Sequence, residues 1–151
     1  MTKPESFLLQ GAEILGKKLY ALNFAFEIVE RGKGSGGEFA VGSFRNGDRE
    51  LRLWFRFELG GVFYRKNDLE RTHAQYMQAI GRERDARYPG FSHGDQLAGF
   101  RHLLEDLEHC DDFLTEGGKT FYDLMKSYQY RDPPKGFAAL TRTESTKPRS
   151  N

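Results

Sequence analysis

The chain has 151 residues, one domain's length, and a chain of this size hides roughly two thirds of its unfolded surface without staples. Hydrophobic residues make up 38% and charged residues 30%, a globular balance at the polar end. Basic and acidic side chains nearly cancel, 23 against 22 for a formal net of +1, so no global field draws the chain to nucleic acid or anionic lipid and such binding needs a local patch.

Thirteen Phe and seven Tyr against one Trp make aromatic rings the main source of core volume. The single cysteine, Cys110, cannot form an internal disulfide, which fits a reducing compartment. Met1 to Ser6 leads into an apolar run broken by Gln10, Gly11 and Glu13, which is neither a signal peptide nor a membrane span. The expected location is cytoplasmic.

From Pro4 to Lys18, Phe7, Leu8, Gly11, Ala12, Ile14 and Leu15 recur at helical spacing, with a start at Pro4 or Ser6 and a stop at Gly16. Four strands follow. Leu22, Phe24, Phe26 and Ile28 alternate in the first. Gly32 to Gly37 reads as a flexible connector. Its lysine precedes the second glycine and a strand follows, so it lacks the phosphate-loop pattern.

Phe39 and Val41 alternate in the second strand, and Leu51, Leu53, Phe55, Phe57 and Leu59 in the third. A three-residue Asn46-Gly47-Asp48 loop sets Val41 opposite Leu53 and Phe39 opposite Phe55, keeping one face apolar, with Gly47 left-handed and a bulge. Gly60-Gly61 reads as a two-residue turn pairing Phe57 with Tyr64 on the core side. Val62 and Tyr64 complete a short fourth strand.

The remainder is helical in pattern. Asn67 or Asp68 caps a helix with Leu69, His73, Tyr76, Met77 and Ile80. A polar loop from Arg82 to His93 leads to a second helix, capped by Asp95, with Leu97, Phe100, Leu103, Leu104 and Leu107 on one face and Phe113 and Leu114 in a short extension. After Gly117-Gly118, a third carries Phe121, Tyr122, Leu124, Met125 and Tyr128. Residues 1–140 form one domain, and the polar stretch from Thr141 to Asn151 has the composition of disorder. Strands grouped together predict α+β: an N-terminal helix, a four-stranded antiparallel meander and three C-terminal helices on one sheet face.

Few residues here point to chemistry. His102, Asp106 and His109 share a narrow arc of the second C-terminal helix, away from Leu103 and Leu107, and are weak candidates for a metal. An amphipathic helix needs a polar face anyway, and nothing fixes a closed coordination sphere, so solvated polar residues explain them without a metal. Cys110 has Asp111 and Asp112 beside it, which raise a thiol's pKa, so it is no nucleophile. Ser92, His93 and Asp95 are too close in sequence to converge as a triad. The alternating Arg82 to Arg87 run reads as a solvated edge. No cofactor is implied.

The other face of the third and fourth strands is unusual. Arg52, Trp54 and Arg56 alternate outward, and Phe63 and Arg65 join them, Phe63 facing Glu58 and Arg65 facing Arg56. Aromatics with arginine are the residues enriched at binding hot spots. The competing explanation is a helix or the tail over this face, with arginines lying across apolar side chains. The resulting expectation is a non-enzymatic protein-binding domain using the outer sheet face, of a build shared at the level of fold class with small antitoxin or immunity-type proteins. Single-stranded nucleic-acid binding by stacking and phosphate contact is the second reading. A metal-dependent enzyme is the third.

Overall fold

The computed structural model describes residues 1–129. The expected boundary between residues 140 and 141, and the tail beyond it, lie outside the described residues.

Helix α1 (Lys3–Leu19) opens with a capping box: Thr2 Oγ1 accepts from the Glu5 amide while the Glu5 carboxylate accepts from the Thr2 amide. The Thr2 amide and hydroxyl, followed by Arg31, hold the Glu5 carboxyl down at about 2. The helix does not stop at Gly16. The Tyr20 ring packs where a Gly16 side chain would stand, and the chain turns only at Asn23, in the left-handed region at φ 68°.

Five strands follow: β1 (Ala25–Gly34), β2 (Gly37–Asn46), β3 (Arg49–Phe55), β4 (Leu59–Lys66) and β5 (Leu69–Thr72). They form one antiparallel meander in the order β1-β2-β3-β4-β5. The fifth strand was not expected, because Leu69 was placed in a helix. Asn67, left-handed at φ 56°, instead turns the chain with Asp68, and Thr72 caps the helix.

The expected turns shift in three places. Gly32, Lys33, Gly34 and Gly37 belong to the strands, and Ser35-Gly36 is the two-residue turn between β1 and β2. Asn46 pairs with Arg49, so the β2–β3 turn is Gly47-Asp48, with Gly47 at φ 62°. Ala40 then faces Phe55, Gly42 faces Leu53, and Val41 faces Trp54. Phe39 and Val41 therefore belong to the outer face, not the core. Packing decides this. Gly42 sits inward because the Phe26 ring occupies its side-chain space, with Leu8 3.5 Å from it. Gly60-Gly61 lies within β4 rather than at a turn; the chain reverses at 56–58, Phe55 pairs with Leu59, and Phe57 is 71% exposed instead of facing Tyr64.

After β5 come α2 (His73–Ala79), α3 (Ala98–Asp106), α4 (Asp111–Thr115) and α5 (Lys119–Ser127). The expected short extension at Phe113 is α4, so the described residues hold four helices here rather than three. Class and layering are as expected: α+β, with the helices packed on one face of an antiparallel sheet. Leu8, Leu15, Phe44, Leu51, Leu53, Phe55, Phe100 and Leu103 are fully buried between the layers. Phe55 packs against Phe7 at 5.5 Å and Phe100 at 5.9 Å, and Tyr64 meets Tyr76 and Phe113 edge-on at 4.9 and 5.1 Å. No helix among the described residues is long and apolar enough to cross a membrane.

Candidate functional site

Alternation along the strands carries Phe39, Val41, Ser43 and Arg45 of β2, Glu50, Arg52 and Trp54 of β3, and Phe63 and Arg65 of β4 to the face opposite the helices. Four of the five predicted outer-face residues, Arg52, Trp54, Phe63 and Arg65, stand there as strand residues. Arg56 belongs to the turn after β3 and reaches the same face by lying over the Trp54 ring, 5.1 Å from its centroid. The partners differ from expectation: Phe63 pairs with Arg52 instead of Glu58, and Arg65 with Glu50 instead of Arg56. Moving the turn from Gly60-Gly61 to 56–58 slides β4 along β3 by an even number of residues, so the face is kept and the neighbours change.

Trp54 stacks on Phe39 with centroids 5.8 Å apart. With Val41 and Phe63 this makes a second apolar cluster, outside the main core. Beside it lies the carboxylate of Glu50, which sequence reasoning passed over. Glu50 accepts from Ser43 at 2.7 Å and pairs with Arg65 at 3.2 Å and with Arg45 and Arg52 at 3.4 Å each. Arg65 also reaches Glu70 at 3.2 Å. The signal was available, since Glu50 precedes Arg52 by two residues in one strand. Ser43 and Val41 are only 1% and 6% exposed, although the described helices pack on the opposite side; the long arginines and aromatic rings cover them. A shallow depression of about 180 Å³ remains, lined by Val41, Arg52, Trp54 and Phe63 between Glu30 and Glu70.

The weak metal candidates are not brought together. Asp106 is 1% exposed, and its helix turns it inward rather than onto a solvated face. It accepts from the backbone amides of Arg87 and Tyr88 at 2.7 and 2.9 Å and bonds His73 Nε2 at 2.8 Å. The other His73 nitrogen, Nδ1, lies 2.8 Å from the Tyr64 hydroxyl. His102 instead bonds the Phe91 carbonyl at 3.3 Å, and His109 lines a polar cleft with Arg82, Arg84 and Arg87. No group of three metal-ligating side chains occurs among the described residues.

Burial pushes the Asp106 carboxyl up, but the bonds from His73, Tyr88 and Arg87 outweigh it and leave it below its ordinary value. The Tyr64–His73–Asp106 chain uses both imidazole nitrogens inside the protein, so none is left to face a substrate; it braces the packing of β4, α2 and α3. Cys110 is fully buried, and burial, with Asp106 and Asp111 adding to it, pushes its thiol up to about 12.

Comparison with protein-family models, with curated proteins and with solved structures gives no match.

Proposed function

We propose that this chain is a non-enzymatic protein-binding domain that engages its partner through the outer face of the sheet, with Trp54, Phe63, Arg52, Arg56 and Arg65 as the contact set. One observation carries the reading: a second aromatic cluster, centred on Trp54 and separate from the main core, lies on a sheet face that no described helix covers. Rigid aromatics beside arginines that are already oriented lose little entropy on binding. The partner presents an apolar anchor for the depression at Val41, Trp54 and Phe63, flanked by cations that meet Glu30 and Glu70. An antitoxin or immunity-type role in the cytoplasm, where a small domain caps another protein, suits such a face.

Stacking of single-stranded nucleic acid is the weaker reading. Arg45, Arg52 and Arg65 converge on Glu50, and Arg65 also reaches Glu70, so two carboxylates offset part of their charge and less is left to neutralise phosphates.

The test is affinity isolation with wild type and with the double variant Trp54→Ser, Phe63→Ser, each checked for an unchanged thermal melt. A protein retained by the wild type is lost from the variant. Binding it changes the emission of Trp54, the one tryptophan in the chain. Equal retention by both overturns the reading, and salt-sensitive retention on a homopolymer column favours nucleic acid instead.

A further inference from the structure

We infer that the cavity beside the start of α1 is a binding site for a small amphipathic carboxylate, an aryl- or alkyl-carboxylic acid. This site stands apart from the sheet-face reading and shares only Arg56 with it. The cavity measures about 420 Å³ and is lined by Lys3, Pro4, Ser6, Phe7, Glu38, Arg56, Phe57 and Gln96, a size that suits a small organic molecule. Pro4, Phe7 and Phe57 give it an apolar wall, and Phe57 is 71% exposed with no other evident employment.

The charges in the wall are unusual for this protein. Most of its arginines pair with carboxylates or cap backbone carbonyls, as Arg31 does with Glu5, Arg49 with the Phe113 and Leu114 carbonyls, and Arg101 with Asp95. The Arg56 side chain has neither among the described residues. The face of its guanidinium is taken by Trp54, and its Nε is buried with no acceptor. Among the described residues Lys3 has no carboxylate partner either. Two unpaired cations face one carboxylate, Glu38, so the lining carries a net positive charge.

Arg56 is held in place by a missing side chain. A Cβ on Gly36 would collide with its Nη1, and one on Gly34 would lie 3.5 Å from Nη2. Gly36, in the β1–β2 turn, therefore leaves room for the guanidinium to lie flat. An acid whose carboxylate meets Arg56 and Lys3 lays its apolar part along Phe7 and Phe57.

Amide NMR spectra of the full chain, titrated with phenylacetate, phenylacetamide and inorganic phosphate, test the inference. Phenylacetate shifts the amides of Ser6, Phe57 and Gln96 saturably in the millimolar range. Phenylacetamide binds roughly tenfold more weakly or worse, since a charge-assisted bond is replaced by a neutral one. Phosphate, which has no apolar part, does not saturate in that range. Lys3→Gln, which lies off the sheet face, weakens the acid while leaving partner capture unchanged. Gly36→Ala and Arg56→Gln weaken the acid toward the amide, and Glu38→Gln tightens it. Equal affinity for acid and amide, saturation by phosphate, or no saturable shift with phenylacetate overturns the inference; undiminished partner capture by the Trp54→Ser, Phe63→Ser variant, with phenylacetate binding intact, overturns only the sheet-face reading.

Discussion

Glu50 shows how much one carboxylate decides on the outer face. It is 7% exposed and faces three arginines, yet each pair it makes is partly solvated and weak alone. Glu50→Gln keeps the bond to Ser43 but leaves three like charges together. A urea melt should show a loss of about 1–2 kcal/mol, and the variant should gain salt-sensitive retention on nucleic acid that the wild type lacks. Asp106 is the deeper case. Asp106→Ala strands His73 and two backbone amides in the core, and the expected cost is about 3–5 kcal/mol by urea melt. The folded-state carboxyl is held below its ordinary value, so its stabilisation is present above that value and is lost as pH falls through the folded one. The urea midpoint of Asp106→Asn should therefore fall less steeply below about pH 4 than that of wild type. Cys110, with its thiol pushed up to about 12 and no exposed surface, should resist a disulfide reagent at neutral pH until the protein is unfolded.

At the scale of the element, turns account for most of the differences between expectation and structure. Hairpin chemistry was read correctly at Gly47, which does take a left-handed conformation, but the loop holds Gly47-Asp48 rather than three residues. Nothing lies within 4 Å of a side chain added at Gly47, so only backbone strain opposes one there. Gly47→Val should cost about 1–2 kcal/mol and Gly47→Asn much less, compared by thermal melt. The register error arose because apolar residues of β2 occur on both faces: Phe39 and Val41 outside, Ala40 and Phe44 inside. Periodicity cannot orient a strand whose two sides are both apolar. The missed β5 has a similar cause. Four residues, Leu69–Thr72, are too few to show a period, and the helix after them absorbed them.

The described residues form a two-layer domain with one core and one extra cluster, and the contrast between Phe55 and Trp54 tests that description. These neighbours in β3 point to opposite sides: Phe55 is fully buried under α1 and α3, whereas Trp54 is half-buried among arginines. Phe55→Ala should cost about 3–5 kcal/mol in a urea melt at constant m-value, and Trp54→Ala well under half of that. Equal losses would mean that a further layer covers the outer face. By itself the sequence determined the class, the grouping of strands before helices and the side on which Arg52, Trp54, Phe63 and Arg65 stand. Those follow from local period and composition, which are properties of a few neighbouring residues. It did not determine which residues meet. That Glu50 gathers three arginines, that Asp106 turns inward to His73, or that Arg56 has no carboxylate among the described residues depends on strand register and on segments far apart in the chain. Only the packed tertiary structure brings such groups within hydrogen-bonding distance, because pairing is decided by filling one core from all the elements at once.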